Sequence, residues 1–360
     1  MRVASVSFWH LHGTDYASEA QRRDDIELVA LWDADHERGM VGAAEHGIAF
    51  VRELDEILDD PSIEGVIVCA PTSEHTEIVV RCIRAGKHVF MEKVLSADLE
   101  GAKAIVDAAR TADVALTVSL WRSDRGYARQ LAELVADGVV GDVTSARIRD
   151  GHPFALAAPG RPSGTLPERF YDPVAAQGGA LIDLCHPLYL LALILGLPSQ
   201  LTSAFGHVTG RATEDNAAVL LSYPDGALAI AETTYVSRIT PFSIEIHGTE
   251  GSILYSEPGI GALVAQRNEG PLDQLGPDDE PRLRLRTTIG GERGWQELEI
   301  REDSPSALAQ WITHVANGTR ADANLALALE LSALVEAAYR SAADGRATPV
   351  DAVWLTHRHV

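Results

Sequence analysis

A lysine follows a short apolar segment in the first third of the chain. Lys93 comes after His88–Met91, and an earlier apolar run, Gly65–Cys69, precedes a turn and the amphipathic segment Glu77–Arg84. These segments are typical of a strand, turn, helix and strand. Ligands of an open parallel sheet bind beyond the carboxyl ends of its strands. The order therefore places Lys93 where a ligand would bind, with a surface lysine after a strand as the alternative.

A second pair of ionisable residues lies in an otherwise apolar segment. Asp183 and His186 are three residues apart, so on one helix they would share a face. Buried ionisable groups need a partner or a function. Pro187 biases the residue before it away from helix, which predicts a kink or a short first turn at His186. A hydrogen-bonded core histidine is the alternative, but the neighbouring carboxylate favours a functional pair.

The turn after the first predicted strand lacks the glycines of a dinucleotide-binding turn. The motif Gly-x-Gly-x-x-Gly lets the backbone approach a pyrophosphate, but here Trp9 stands at the point of closest approach. Either Ser7 and main-chain N–H groups at the helix N-terminus bind the phosphates, or no dinucleotide binds. Asp33, at the tip of the second strand, is placed to accept the ribose hydroxyls of NAD and would repel the 2′-phosphate of NADP. An aspartate that begins a turn is the alternative.

His10 and His12 form a His-x-His pair in the same turn. Residues two apart on an extended chain point the same way, so the pair could hold a divalent metal in a barrel hydrolase. Such a barrel needs further ligands at later strand ends, which carry Asp33, Thr72 and Lys93 instead. Turn histidines are the simpler interpretation, and we predict no resident metal.

Strands and helices alternate as far as Ser119, which predicts a doubly wound parallel sheet with helices on both faces. After Trp121 the pattern changes to alternating strands separated by turns such as Pro224-Asp225-Gly226, which predicts an open, mostly antiparallel sheet with helices on one face. The fold class is therefore α/β for residues 1–121, followed by an α+β domain over residues 122–360. Within that domain, residues 257–282 are predicted as an exposed loop or insertion, and Ala323–Ala343 as a long helix.

Composition narrows the classes of function. The chain has 360 residues, enough for two domains, and a formal charge of −22 from 30 basic and 52 acidic residues. Such a charge argues against nucleic acid or anionic membrane as a partner. The three cysteines have no Cys-x-x-Cys spacing, and no export signal or membrane span is visible. We therefore expect a reduced, cytoplasmic protein.

Taken together, several segments resemble the Gfo/Idh/MocA family of NAD(P)-dependent oxidoreductases, relatives of glucose-fructose oxidoreductase and inositol dehydrogenase. The resemblance covers nearly the full length. The segments are Ala70–His75, Ala85–Lys93, Gly138–Val143, Gly178–His186 and Ile244–Gly251. It implies an N-terminal Rossmann domain, a substrate domain whose open sheet often supplies an oligomer interface, NAD as cofactor and a homo-oligomer, either dimer or tetramer.

The resemblance also implies roles for single residues. His186 would take the proton of a substrate hydroxyl while a hydride passes to the nicotinamide. Lys93 would hydrogen-bond the reacting oxygen, and Asp183 would fix a neighbouring hydroxyl of a sugar, cyclitol or glycoside. The residues assigned to the cofactor are Ser7, Trp9, His10, His12, Asp33, Ala70, Pro71, Thr72, His75, Glu92, Lys93 and Arg122. The residues assigned to the substrate are Lys93, Arg122, His152, Tyr171, Asp183 and His186.

Two departures from the family pattern are visible. The glycine motif is lost, and Val94 replaces the proline that follows the family's lysine, often in a cis peptide bond. A cis bond before a residue other than proline costs about 3–4 kcal/mol, so we predict a trans Lys93–Val94 bond and a slightly displaced lysine. Because both departures fall in the cofactor domain, a second hypothesis is a non-catalytic member of the fold that senses a dinucleotide or sugar.

Overall fold

The computed structural model describes residues 1–158, 160–259, 280–291 and 294–350. The chain forms two compact units. The first comprises Met1–Trp121, Val174–Gln177 and Pro305–Ser332, and the second comprises Arg122–Pro173, Gly178–Ser304 and the chain from Ala333 onward. The division of the sequence into domains 1–121 and 122–360 stays a prediction.

The first unit is built on a parallel sheet of six strands. They are β1 (Arg2–Val6), β2 (Glu27–Trp32), β3 (Ala49–Val51), β4 (Gly65–Val68), β5 (His88–Met91) and β6 (Leu116–Val118). Their order is β3-β2-β1-β4-β5-β6. The direction of the strand order reverses between β1 and β4, which in such sheets is where a crevice opens for ligands.

Ten helices lie in the described residues. They are α1 (His12–Gln21), α2 (His36–His46), α3 (Leu54–Leu58), α4 (His75–Arg84), α5 (Leu99–Ala112), α6 (Gly126–Ala136), α7 (Ala180–Asp183), α8 (His186–Leu195), α9 (Ala307–Asn317) and α10 (Asp322–Asp344). Aspartate side chains cap the N-termini of α2 and α5. Asp35 accepts a hydrogen bond from Arg38 N, and Asp98 accepts one from Gly101 N. None of the helices in the described residues is long and apolar enough to cross a membrane.

Helix α9 comes late in the sequence but completes the core of the first unit. Trp311 is fully buried, its ring centroid lies 6.0 Å from that of Phe90, and its indole N–H donates to Ala115 O at 3.4 Å. Gly65 leaves room for it, since a Cβ there would lie 3.0 Å from the indole ring. The core of the parallel sheet therefore depends on a segment from the far end of the chain.

The second unit is built on a sheet of nine described strands. They are β7 (Val143–Gly151), β8 (Gln200–Gly206), β9 (Asn216–Ser222), β10 (Leu228–Thr234), β11 (Phe242–Gly248), β12 (Gly251–Glu257), β13 (Arg282–Thr287), β14 (Gln296–Leu298) and β15 (Thr348–Pro349). Their order is β14-β13-β12-β11-β7-β10-β9-β8-β15, and the pairing of β7 with β10 is parallel while the others are antiparallel. Burial alternates along β10, and α8 packs against β7 and β10. The predicted fold class is confirmed.

Three narrower predictions have different outcomes. The loop predicted at residues 257–282 lies mostly outside the described residues, whereas the predicted long helix near the C-terminus is present as α10. The cysteines Cys69, Cys82 and Cys185 are all buried and free, as expected for reduced thiols.

The Lys93–Val94 peptide bond is cis, so the prediction of a trans bond is wrong. That prediction considered only the intrinsic preference of a bond before a residue other than proline. In the folded chain, Val94 is fully buried and its carbonyl oxygen lies 2.7 Å from Nδ1 of His75. Tertiary contacts therefore decide the conformation here.

Asp183 and His186 do not share one continuous helix, so the expectation of a common helical face is wrong. Asp183 ends α7, and His186 begins α8. Between them Leu184 has ψ 44° and Cys185 has ψ 0°, outside regular helix, and Pro187 occupies the first turn of α8. The kink that the proline predicts is what separates the two residues.

Candidate active-site residues

The turn after β1 is organised by side chains instead of glycines. Phe8 N donates to Asp33 Oδ2 at 2.7 Å, and the Ser7 hydroxyl donates to the same oxygen at 3.1 Å. Trp9 N in turn donates to Ser7 Oγ at 3.0 Å, and the Trp9 side chain is buried. Ser7 has φ +68°, a left-handed conformation that favours glycine. Hydrogen bonds from and to its hydroxyl hold the conformation that glycine would otherwise supply.

Asp33 lies at the tip of β2, immediately after the strand. Its carboxylate is fully buried, and Arg38 donates to it twice, from Nη2 to Oδ1 at 2.5 Å and from Nε to Oδ2 at 2.9 Å. Asp35 N donates to Oδ1 at 2.9 Å. Together with the bonds from Ser7 and Phe8, these fill the roughly four acceptor positions of a carboxylate. Its assignment to the ribose hydroxyls stays a prediction and requires at least one of these donors to move.

A cluster of polar side chains surrounds Glu92 at the end of β5. The Tyr16 hydroxyl donates to Glu92 Oε2 at 2.5 Å, and His12 Nδ1 lies 3.3 Å from the same oxygen. Lys93 Nζ lies 3.5 Å from the other oxygen, Oε1. Burial alone would raise the pKa of Glu92, but the neighbouring side chains of His10, His12 and Lys93 hold that pKa well below its usual range. The structure thus brings three predicted residues, His10, His12 and Lys93, around the ionised carboxylate of a fourth, Glu92.

Tyr16 is a member of this cluster that the sequence analysis missed. Burial raises the pKa of Tyr16 well above its usual value, and so does the adjacent charge of Glu92. The hydroxyl therefore stays protonated and can donate to Glu92 throughout the physiological range. Its oxygen also lies 2.7 Å from Ser119 Oγ, after β6. Position 16 looked like an ordinary helix residue because its partners lie far away in the sequence.

The ligand atoms of His10, His12 and Glu92 lie within 4.8 Å of one another, a spacing that bears on the metal hypothesis. However, His12 N points at His10 Nδ1 at 3.2 Å. A neutral imidazole that accepts at Nδ1 carries its proton on Nε2, which leaves that nitrogen no lone pair for a metal. This arrangement favours a hydrogen-bonded cluster over a metal site. The described strands also form two open sheets and no barrel of the kind that the hydrolase alternative requires.

His75 lies between two carbonyl groups. Its Nε2 is 3.0 Å from Ala70 O and its Nδ1 is 2.7 Å from Val94 O, and the ring is buried. Burial lowers the pKa of His75, although these two contacts oppose the shift. Ala70 and Pro71 are buried beside it, and Thr72 begins a short 3₁₀ helix after β4. His75 therefore ties the end of β4 to the segment after Lys93, and the assignment of these residues to the cofactor stays a prediction.

In the second unit, three predicted substrate residues lie around Tyr235. The Tyr235 hydroxyl donates to Asp183 Oδ2 at 2.7 Å. The His152 ring stacks on the Tyr235 ring with centroids 4.8 Å apart and planes at 12°, and Tyr171 meets it edge-on at 6.4 Å. The Tyr171 hydroxyl is buried without a hydrogen-bond partner in the described part of the chain. The sequence analysis did not single out Tyr235.

Glu214 holds the helix that carries Asp183. Its Oε1 accepts hydrogen bonds from Gly179 N and Leu181 N, both at 2.9 Å, and from the Tyr339 hydroxyl at 2.7 Å. Burial raises the pKa of Glu214, while these hydrogen bonds oppose the shift. A buried carboxylate thus satisfies the backbone donors at the start of α7.

His186 begins α8 and is buried. Its Nδ1 lies 3.0 Å from the Tyr189 hydroxyl, which also accepts a hydrogen bond from Arg122 N at 3.1 Å. In the tautomer whose Nδ1–H donates to Tyr189, Nε2 carries the lone pair that a general base needs.

Arg122 belongs to a buried ion network. Its Nε donates to Asp150 at 3.2 Å, its Nη1 donates to Glu257 at 2.6 Å, and its guanidinium lies 3.6 Å from the ring centroid of Phe242. These contacts bind Arg122 to three other residues of the second unit, which is a structural role. Its assignment to the cofactor and substrate stays a prediction.

Two family models match this chain over most of its length. The model described as an oxidoreductase family with an NAD-binding Rossmann fold matches residues 9–120, and the model of the GFO/IDH/MocA C-terminal domain matches residues 128–254. The chain belongs to the GFO/IDH/MocA family. This member is accordingly an NAD(P)-dependent oxidoreductase with an NAD-binding Rossmann domain.

Named relatives of this GFO/IDH/MocA member are reductases and dehydrogenases. It is 29% identical to a 1,5-anhydro-D-fructose reductase of Ensifer adhaerens over 69% of this chain and 76% of the reductase. It is 28% identical to a myo-inositol 2-dehydrogenase of Thermotoga maritima over 75% of this chain and 79% of that enzyme. A levoglucosan dehydrogenase solved with NADH and levoglucosan has the same fold, with a TM-score of 0.77, 18% identity and coverage of 98% of this chain and 99% of that one.

Proposed function

We propose that this GFO/IDH/MocA member catalyses hydride transfer between NAD and a secondary hydroxyl or ketone of a sugar, cyclitol or glycoside. The observation that carries the proposal is the buried Glu92–Lys93 pair, with Nζ 3.5 Å from Oε1, at the carboxyl end of β5. That strand lies in the part of the chain matched by the NAD-binding family model. The relatives named for inositol and anhydrofructose support the class of substrate.

The described residues fit a dinucleotide at the carboxyl edge of the first sheet. The strand order reverses between β1 and β4, and Glu92 Oε1 is buried without a hydrogen bond in the described part of the chain. When bound, the nicotinamide supplies the acceptor or donor of the hydride. We favour NAD over NADP because Asp33 at the tip of β2 is placed to accept the ribose hydroxyls of NAD, which requires its bonds to Arg38 to open, whereas an Arg38 released from Asp33 would suit the 2′-phosphate of NADP.

In this proposal each residue has a defined task. Lys93 donates a hydrogen bond to the reacting oxygen and stabilises the negative charge that develops there. His186 holds the hydroxyl proton at Nε2, and Asp183 accepts a hydrogen bond from a neighbouring hydroxyl. Only the interactions that strengthen as the charge develops raise the turnover rate.

The test is turnover by the purified protein, followed at the nicotinamide absorbance across a panel of sugars and cyclitols. We expect Lys93→Ala and His186→Ala to lower kcat by about 100-fold or more on the best substrate. Lys103→Ala, which removes a lysine of α5 that has no role in this proposal, is the matched control. Wild-type turnover in the Lys93 and His186 variants would show that these roles are wrong.

A second candidate function is a non-catalytic sensor of a dinucleotide or sugar. The turn after β1, with Trp9 buried and Ser7 and Asp33 in place of glycine contacts, favours it. Calorimetry with NAD and NADP separates the two candidates. Tight binding without turnover on any polyol supports the sensor, whereas saturable turnover supports the enzyme.

We also propose that the chain works in the cytoplasm as a homo-dimer or homo-tetramer. The nine-stranded sheet has exposed apolar side chains at Leu220 on β9 and Leu228 on β10. Such residues suit an interface between copies of the chain.

A further inference from the structure

Tyr235 is held rigidly in the second unit. Its ring is fully buried, with the His152 ring parallel to it and the Tyr171 ring edge-on to it. Its backbone is bonded on both sides, since Tyr235 N donates to Asp215 O at 2.7 Å and Ala155 N donates to Tyr235 O at 3.1 Å. The position of its hydroxyl is therefore fixed by packing and backbone bonds together.

That hydroxyl has a short contact with one functional side chain. It donates to Asp183 Oδ2 at 2.7 Å, whereas the next acceptor, Gly179 O, lies 3.4 Å away. Burial raises the pKa of Tyr235 well above its usual value, and the charge of Asp183 adds to that shift. The phenol stays protonated over the working pH range, so it is a permanent donor to the carboxylate.

Such a donor affects both the orientation of the Asp183 carboxylate and its ionisation. Asp183 lies at the last residue of a four-residue helix, so its side chain needs an anchor outside that helix. A hydrogen bond from a neutral donor favours the ionised form of a carboxylate. An ionised Asp183 can accept a hydrogen bond from a substrate hydroxyl, whereas a protonated one competes with it as a donor.

We propose that Tyr235 is a positioning residue that orients Asp183 and keeps it ionised for binding a substrate hydroxyl. This inference rests on the proposed function, because it assigns a support to one of the substrate residues. Tyr235 acts through Asp183 and needs no contact with the substrate itself. Within the described residues, the titratable groups that face this pair include His152, Tyr171, Glu214 and Tyr339, and Arg211 stacks on the Tyr171 ring.

The test compares Tyr235→Phe with Tyr223→Phe. Both variants remove one hydroxyl from a buried tyrosine of the second unit, but the Tyr223 hydroxyl has no hydrogen-bond partner in the described residues. For Tyr235→Phe we expect kcat/KM for the polyol to fall about tenfold, the typical effect of losing a hydrogen bond to a charged group. The Kd for NADH without substrate, measured by calorimetry, stays unchanged. Tyr223→Phe should match the wild type in both measurements.

The pH profile separates positioning from a merely structural role. Without the phenol, the ionised form of Asp183 loses a hydrogen-bond donor, so we expect the acidic limb of kcat/KM to move to higher pH. An unchanged limb together with wild-type kcat/KM would overturn the proposal.

Crystal structures of the two variants test the orientation without turnover. The Asp183 carboxylate should leave its position in Tyr235→Phe and keep it in Tyr223→Phe, and an unmoved carboxylate in Tyr235→Phe overturns the proposal. If Asp183 moves while the wild type itself turns over no polyol, the proposed function fails and the role of Tyr235 in orienting Asp183 stands.

Discussion

Glu92 places a negative charge in the interior of the first unit, where it must be compensated. Its two oxygens are divided between Tyr16 and His12 on one side and Lys93 on the other. A buried ion pair costs desolvation, and removing one partner leaves the other charge uncompensated. The carboxylate therefore contributes to the position of Lys93.

At the residue scale we predict that Glu92→Gln lowers the free energy of unfolding at pH 7 by about 3 kcal/mol. It should also flatten the pH dependence of stability. The pKa of Glu92 is lower in the folded chain than its unfolded value of about 4.3. The ionised carboxylate thus stabilises the fold above that pH, and this contribution is lost as the pH falls toward the folded pKa.

Thermal unfolding followed by circular dichroism between about pH 3 and 7 measures this effect. Glu77→Gln, a change at an exposed glutamate on α4, is the control and should follow the wild type. Parallel curves for Glu92→Gln and the wild type would contradict the stabilising role of the charge.

The sequence allowed the ionisable residues at strand ends to be predicted, but not the hydroxyls that hold them. Lys93 and Asp33 follow recognisable strands, so their positions come from local patterns. Tyr16 and Glu92 are 76 residues apart, and Tyr235 and Asp183 are 52 apart. Nothing local distinguishes a tyrosine with such a partner from one that only packs.

At the scale of elements, α7 is too short to be stable by itself. A helix of four residues has almost no internal hydrogen bonds, so its backbone donors need partners elsewhere. Glu214 supplies them through a single oxygen, Oε1. The orientation of Asp183 at the end of α7 depends on this contact as well as on Tyr235.

We therefore predict opposite outcomes for two substitutions at Glu214. Glu214→Gln should stay within about 1 kcal/mol of the wild type, because an amide oxygen can accept the same three hydrogen bonds. Glu214→Ala should lower the free energy of unfolding by about 2–4 kcal/mol, because Leu181 N and the Tyr339 hydroxyl lose their acceptor and Gly179 N keeps only the Tyr339 oxygen at 3.2 Å. Denaturant unfolding of both variants measures the difference, and equal stabilities would rule out the capping role.

The predicted elements agree best with the structure where the hydrophobic pattern of the sequence is strongest. β4 is buried throughout and consists of Gly-Val-Ile-Val, the continuous apolar run expected of a central parallel strand. The segment from Asp183 to His186 could not be placed in the same way. The residues on either side of it are almost all apolar, so periodicity could not show that the chain leaves helical geometry at Leu184.

For the whole molecule, we predict that Leu220→Glu weakens self-association. Leu220 is 41% exposed on β9 and lies opposite Ile230 of β10. A charge at the centre of an apolar contact between copies would have to be desolvated, which is costly. Sedimentation analysis should show a smaller species for Leu220→Glu than for the wild type. Val174→Glu, at an exposed valine of the first unit, is the control, and an unchanged species for Leu220→Glu would place the interface elsewhere.

The two-part architecture could be predicted from the change of pattern after Trp121, because alternating helices and strands require a parallel sheet. That Pro305–Ser332 belongs to the first unit could not be predicted in this way. Trp311 donates to a carbonyl oxygen 196 residues earlier, and the amphipathic helix that carries it would suit either unit.

The buried position of Trp311 has a consequence for biosynthesis. A ribosome releases the chain from its N-terminus, so all six strands of the first sheet leave the exit tunnel long before α9 is made. Until then, the cavity that Trp311 fills stays open, and Phe90 lacks the ring that packs against it. The Rossmann unit of this oxidoreductase therefore reaches its final packing only after most of the polypeptide has been translated, although its sheet is encoded first.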